Sequence, residues 1–385
     1  MFRKTYAEIN SETLESNVRQ ICGYYPDFKY YFGVVKGNAY GHGMQSVKAL
    51  AAGGINYFAT ATLEEAIRIR EYEYDIPILC LEPVAPEFSL TAFENGVTLT
   101  VHRHDYLEQL LEIAPAGTKV HIKLDTGMNR LGFKNPDEVK KCVELIEKSG
   151  NITLEGIYTH LATSGLNDLH YGEQLAEFKR LTGKIDLSAV PIVHIDRSLT
   201  LVHHKKPDFV NGTRLGICMY GFAQSVPSPT GLHALKRKLL LRGQMPDEPV
   251  FENGLKLKTA MALYSEIIDI KRVKKGEFVG YGAKFTADRD ITVATAAIGY
   301  YDGVPTNAKS VYVNNNACRI IGEVCMDMIQ LEVQDNTKIG DRVEIFGNNI
   351  PISVSAHRSG TNAYRLLTGI SSRVPRIYDG KEYYL

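Results

Sequence analysis

Residues 33–43 read Gly33-Val34-Val35-Lys36-Gly37-Asn38-Ala39-Tyr40-Gly41-His42-Gly43. The apolar run that includes their start, Tyr30 to Val35, is short, aromatic and β-branched, the composition of a buried strand. Most lysines are solvated surface amines. Lys36 instead closes an apolar strand and opens a flexible loop, the position at which α/β folds keep reactive groups. The fold therefore turns on whether such strands recur.

They do. Strand-like runs end near Lys36, Thr60, Leu81, Val101, Leu124, His160, Ile195 and Met219. Most are separated by amphipathic stretches such as Leu63 to Glu71, Pro136 to Lys148 and Gly172 to Lys184. Repeated strand–helix units argue for a parallel sheet, and eight of them predict a closed (β/α)8 barrel of the TIM type. A helix over Ser11 to Cys22 precedes the first unit.

Residues 226–256, with Pro227, Pro229, Gly231, Pro246 and Pro249, read as a long connection. Beyond it the pattern predicts strands at Ala262–Ile270, Ile291–Ala297, Ser310–Val313, Arg319–Cys325, Ile329–Val333 and Arg342–Phe346, with one helix over Val354–Leu367. Asn314-Asn315-Asn316 supplies hairpin chemistry between two of these strands. The chain thus divides into a barrel over 1–255 and a mainly β domain over 256–385.

Composition narrows the function. Lys plus Arg equals Asp plus Glu at 44 each, so no net field favours nucleic acid or an anionic membrane. Met1 to Glu8 contains no apolar h-region and no run approaches about 18 apolar residues, so neither secretion nor a membrane span is expected. Six cysteines (22, 80, 142, 218, 318, 325) are scattered without metal-binding spacing, which suits buried thiols in a reducing cytoplasm.

In a barrel the C-terminal strand ends form the active face. Lys36, Lys123 with Asp125, His160, then His194 and Ser198, and finally Arg214 fall at or near successive strand ends. Either histidine alone reads as a satisfied core residue. Their convergence with two lysines and an arginine at one rim suits an anionic small molecule. Barrels often bind phosphate after their last two strands, where Ser198, Gly216 and Ile217 lie. A lysine amine with a pKa of about 10.4 is a poor nucleophile. Among cations and partly desolvated it becomes competent to form a Schiff base. Pyridoxal phosphate brings both an aldehyde for such a lysine and a phosphate for such a cradle.

The stretch VVKGNAYGHG resembles the cofactor-lysine motif of the alanine racemase family. The likeness continues in order through KLDTGMNRLGF (123–133), YTHLATS (158–164), TRLGICMYG (213–221), GYGAKFTA (280–287), IGYYDG (298–303), GEVCMDM (322–328) and SRVPRIY (372–378). The resemblance implies a two-domain homodimeric enzyme that uses pyridoxal 5'-phosphate to interconvert L- and D-alanine. It implies that Lys36 is the Schiff-base lysine and the base on one face of the substrate. Tyr281 is similar to the tyrosine that serves the opposite face from the other subunit. Arg214 matches the arginine on the pyridine nitrogen, and Tyr40, Ser198, Gly216 and Ile217 match phosphate contacts. Arg130 resembles the arginine near the substrate carboxylate, steadied in many members by a carbamylated lysine at the place of Lys123. His160 resembles the histidine behind the tyrosine, and Met326 a contact to the substrate carboxylate.

Racemisation needs one proton removed and another delivered on opposite faces of Cα, so two bases must flank the substrate. A phenol acts as a base only with cations nearby, a role open to Arg214 and His160. Three departures bear on substrate choice. Ser372 stands where the family usually has tyrosine, Arg197 where it usually has asparagine, and Val304-Pro305-Thr306 lacks an arginine often found there. A racemase acting on serine or a broader set, a pyridoxal-phosphate-binding protein with little turnover, and a decarboxylase on the same barrel are the rival readings. Lys123 also has a plain alternative, pairing with Asp125. No metal, nucleic-acid or membrane partner is expected.

Overall fold

The computed structural model describes residues 3–163, 169–222 and 255–384. The connection expected over 226–256 lies almost wholly outside them. β1 (Tyr6–Ile9) comes first, then eight parallel strands: β2 (Tyr30–Val34), β3 (Tyr57–Thr60), β4 (Ile78–Cys80), β5 (Val97–Val101), β6 (Thr118–Lys123), β7 (Ile152–Tyr158), β8 (Ile192–Arg197) and β9 (Gly212–Leu215). They close in sequence order, β9 pairing back on β2 with Phe32 opposite Arg214. Amphipathic helices such as Pro136–Ser149, opened by Asn135 and Pro136 and ended by Gly150, cover the outside. Strand residues alternate between two buried faces. Tyr31, Val35 and Phe58 join the layer under the helices, while Phe32, Tyr57 and Tyr158 fill the barrel interior.

The later strands are β10 (Met261–Val273), β11 (Phe278–Val279), β12 (Phe285–Thr286), β13 (Ile291–Ala296), β14 (Ser310–Val313), β15 (Asn316–Ile321), β16 (Ile329–Val333), β17 (Arg342–Phe346), β18 (Arg376–Tyr378) and β19 (Lys381–Tyr383). Nine strands form one sheet in the order β13-β16-β15-β14-β17-β10-β1-β18-β19. β1 belongs to this sheet rather than to the barrel, antiparallel to β10 and parallel to β18. The chain therefore starts in the second sheet, enters the barrel and returns. Asn314 and Asn315 both take left-handed backbone in the β14–β15 hairpin (φ 47° and 66°), the geometry that matches strand twist.

Three expected elements differ. The strand expected over Arg319–Cys325 is β15, Asn316–Ile321, which ends at the left-handed Gly322 (φ 68°). The helix expected over 354–367 is two short helices, Ile352–Arg358 and Ala363–Thr368. Gly360 turns left-handed between them (φ 63°), and the Asn362 side chain accepts from Arg365 N to start the second. The eighth barrel strand stops at Leu215, short of Met219, because Ile217–Tyr220 coils into a 3-10 turn.

Candidate active site

Lys36 follows β2 at the C-terminal rim and is exposed there. Partial desolvation first, then the charges of Arg130 and Arg214, lower its pKa, with Glu65 and Glu82 acting the other way. The next five residues, Gly37 to Gly41, all have positive φ (62°, 54°, 52°, 51° and 80°). Three of them are not glycine, so this left-handed turn is costly and must be held from outside. Glu65 holds one side, its carboxylate accepting from Gly37 N (2.6 Å), Asn38 N (3.3 Å) and Ala61 N (2.9 Å). The C-terminal segment holds the other. Arg376, fully buried, donates to Gly41 O, Ile370 O, Ser371 O and Val374 O at 2.7–2.9 Å, and Tyr378 donates to His42 O at 2.9 Å. A Cβ on Gly41 would stand 2.0 Å from Leu367 O, so only glycine lets the helix 363–368 sit against this loop.

The turn delivers the Tyr40 ring between Tyr220 and Tyr364, at 5.3 and 5.9 Å between ring centres. Its hydroxyl lies 3.2 Å, and Ser198 Oγ 3.6 Å, from where a Cβ on Gly216 would be. Gly216 N donates to Ser198 Oγ at 3.0 Å. The first N–H groups of the turn Ile217–Tyr220 have no acceptor inside it. Two hydroxyls and a turn start therefore converge at a glycine, a cradle suited to a small anion. Tyr40, Ser198, Gly216 and Ile217 come together as expected. The side chain of Arg197 lies outside the described residues.

Arg214 is buried, and burial lowers its pKa to about 10, which leaves it charged at neutral pH. Nη1 donates to His194 Nδ1 (2.6 Å) and His194 O (3.1 Å). Nη2 donates to Thr159 O (2.7 Å) and Ile195 O (3.2 Å) and faces His160 Nδ1 at 3.4 Å. Four of the five N–H groups are thereby used, and Nε is left for a ligand. His160 thus does lie beside Arg214. His194, expected at the rim, is fully buried in the barrel interior between Phe32 and Tyr158, at 4.5 and 4.8 Å between ring centres.

Lys123 is buried, its Nζ 3.3 Å from Leu124 O and 4.8 Å from the Tyr158 ring centre. Burial, then Arg214 and Arg130, hold its amine well below its ordinary range. The alternative pairing with Asp125 is not what forms: Asp125 Oδ1 accepts from Gly127 N and Asn129 N, and Oδ2 lies 3.8 Å from Lys134. Arg130 is exposed on the same loop. A cavity of about 500 Å³ beside this loop is lined by Asp125, Lys134, His170, Glu173 and Glu177 and, Asp125 apart, by none of the expected rim residues.

Tyr281 and Met326 stand apart from this cluster, 71% and 50% exposed on the second domain. Gly280 and Gly282, with φ of 76° and 66°, project the tyrosine on a tight turn. Ser372 is exposed next to Arg373, which donates to Asp302 (2.6 Å) and pairs with Asp327 (2.7 Å). Glu65, Tyr158, Tyr364 and Arg376 also build the site, although the sequence assigned them no role; Tyr158 and Arg376 lie inside the stretches YTHLATS and SRVPRIY, but their contacts across distant segments leave no local signal.

The alanine racemase N-terminal domain family matches residues 9–224, and the alanine racemase C-terminal domain family matches residues 260–378. The chain belongs to the alanine racemase family. An alanine racemase of Geobacillus kaustophilus is 34% identical over 98% of this chain and 94% of its own. The crystal structure of alanine racemase from E. faecalis superposes with a TM-score of 0.86 at 31% identity, covering 98% of this chain and 99% of that one. A histidine racemase of Leuconostoc mesenteroides superposes with a TM-score of 0.83 at 25% identity, over 97% of this chain and 98% of that one. The family's barrel followed by a β domain is the architecture found here. Among the described residues no helix is long and apolar enough to cross a membrane, and no group of ligating side chains could hold a metal ion.

Proposed function

We propose that this protein interconverts the L and D forms of alanine, with pyridoxal phosphate held at the C-terminal rim of the barrel. The observation that carries the reading is the placement of Lys36, an amine of lowered basicity, at the rim that also bears Arg214 and the Tyr40–Ser198–Gly216 cradle. The residues present fit the cofactor. The cradle would hold its phosphate, Arg214 Nε its ring nitrogen, and Lys36 its aldehyde carbon. When bound, pyridoxal phosphate supplies a carbonyl that condenses with amines and a ring that withdraws electrons from the substrate Cα–H bond.

Lys36 then takes or returns the Cα proton on one face. Tyr281 of a second copy serves the other face, a reading supported by its exposure in the single chain. Arg214 and His160, adjacent at 3.4 Å, supply cationic and hydrogen-bonding surroundings that favour a phenolate. Because a guanidinium keeps its protons, Arg214 would donate to the ring nitrogen without protonating it, and so would temper the electron withdrawal that the cofactor supplies. Arg130 and Met326 would bind the substrate carboxylate. The neutral amine favoured at Lys123 is the form that adds carbon dioxide, and a carbamate there would place an anion near Arg130 and Arg214. The six unpaired cysteines are consistent with a cytoplasmic location. A division near residue 255, with β1 counted with the second sheet rather than with the barrel, separates the lysine from the tyrosine.

Ser372 and the histidine racemase among the structural neighbours support a second reading, a racemase with a wider pocket that also accepts serine. The test is incubation of the loaded protein with single amino-acid enantiomers in deuterated water. Racemisation with deuterium at Cα is the expected result, and borohydride should attach the cofactor to the peptide carrying Lys36. Binding without exchange, or attachment at another lysine, would overturn the assignment.

A further inference from the structure

The barrel interior holds a row of polar side chains that runs away from the rim. Arg214 donates to His194 Nδ1 (2.6 Å), His194 Nε2 lies 3.0 Å from His121 Nδ1, and His121 Nε2, buried and with no well-aligned hydrogen-bond partner among the described residues, lies 3.3 Å from Glu155 Oε2. All three of Arg214, His194 and His121 are buried, and Glu155 is nearly so. Glu155 also accepts from Tyr57 Oη (2.5 Å), Thr98 Oγ1 (3.0 Å) and Lys119 Nζ (2.9 Å). Burial works against its charge, but His121, Tyr57 and Lys119 outweigh it and hold the carboxyl well below its usual range.

We propose that Glu155 is a positioning residue for Arg214, acting through the two histidines. The proposal rests on the reading of Arg214 as the group that meets the cofactor ring. Its logic is one of direction. A guanidinium only donates, so His194 Nδ1 must accept and its proton sits on Nε2. That proton points at His121 Nδ1, which must accept in turn, so His121 carries its proton on Nε2, toward Glu155. A carboxylate only accepts, and the row therefore runs one way from end to end. Burial keeps both imidazoles neutral, as this requires. The ring planes are fixed as well. His194 is stacked between Phe32 and Tyr158, and His121 lies where a Cβ on Gly156 would be 2.6 Å from its ring. Glycine after Glu155 is thus what admits His121 to the barrel. With Nη1 anchored to this row and Nη2 to carbonyls, Nε of Arg214 is held in one orientation.

Changing the end of the row should change its start. In Glu155→Gln the amide keeps one acceptor oxygen for Tyr57, Thr98 and Lys119 and can turn a donor toward His121. His121 would then place its proton on Nδ1, against the Nε2 proton of His194, and the 3.0 Å link would break. The measurement is nitrogen-15 NMR of the histidine rings in full-length protein, with and without cofactor. The wild type should show both His121 and His194 neutral with the proton on Nε2. Glu155→Gln should shift that tautomer pattern, move the visible absorption of the loaded enzyme, and lower kcat roughly tenfold with a smaller change in KM. Lys119→Met, which removes only the solvent-facing ion pair of Glu155, should leave the tautomers alone. A proton on Nδ1 of either histidine in the wild type would overturn the proposal, even if Glu155→Gln failed to fold. So would a folded Glu155→Gln with unchanged tautomers and absorption, or Lys119→Met disturbing them equally. Absence of turnover in a wild type with the expected tautomers would instead count against the racemase reading.

Discussion

Asp196 sits two residues before Ser198 of the proposed phosphate cradle, buried, with Oδ1 unpartnered among the described residues. Desolvation pushes its pKa up to about 7, against the pull of Arg214 and Lys206. A carboxyl raised above its unfolded value of 3.8 contributes stability that is full below that value and lost as pH rises through about 7. Asp196→Asn removes the titration. From about pH 4.5 to about pH 8, thermal unfolding should show the wild type losing stability relative to Asp196→Asn; parallel profiles would mean that the group ionises normally. Ser372 sets a second expectation at this scale. Restoring an aromatic ring in Ser372→Tyr narrows the pocket mouth, and discrimination of one small side chain from another is worth about 1–3 kcal/mol. The ratio of kcat/KM for alanine over serine should rise about tenfold. A folded, cofactor-loaded variant with the wild-type ratio would show that Ser372 does not shape the pocket.

The left-handed turn Gly37–Gly41 is the element on which the site depends, and its support comes from the far end of the chain. Arg376 has no acidic partner among the described residues; its guanidinium satisfies four buried carbonyls, one of them on Gly41. Arg376→Met leaves those carbonyls bare, at about 1–3 kcal/mol for each that finds no water. Hydrogen exchange should show lost protection of the amides 37–43, and cofactor retention should fall with it. Unchanged protection there would show that Glu65 alone holds the turn. Elements with local signals were legible in the sequence: β14, β16 and β17 match their expected bounds because alternation and turn residues mark both ends. The helix over 354–367 was misread because the apolar residues on either side, Val354 and Ala356 and then Ala363 to Leu367, were joined across the wholly polar run His357 to Asn362, whose Gly360 marks the break. The place of β1 was not legible, since its partners lie some 250 or more residues later. The site followed the same rule. Lys36, Arg214 and the cradle residues were nominated through strand ends and motifs, and the structure brings Arg214 beside His160 and Tyr40 and Ser198 beside Gly216; His121, Glu155 and Tyr158 meet only inside the closed barrel.

At the scale of the whole molecule, the proposed racemase site is divided between two chains. Lys36, Arg214 and the cradle occupy the barrel rim, while Tyr281, Met326 and Met328 lie exposed on the β domain together with Phe278, Tyr300 and Tyr301. An exposed apolar surface of this kind, carrying the tyrosine that the proposed mechanism assigns to the second face, fits a two-fold pair in which each β domain covers the other's barrel. Two shared sites give a direct measurement. Lys36→Ala and Tyr281→Phe are each expected to be inactive, and the two chains are mixed in equal amounts and allowed to exchange subunits. In a mixed pair one site carries both defects and the other carries neither. With random pairing about a quarter of all sites are intact, so the mixture should recover about a quarter of wild-type racemisation. No recovery, once mass spectrometry shows that mixed pairs have formed, would contradict a site built from two chains.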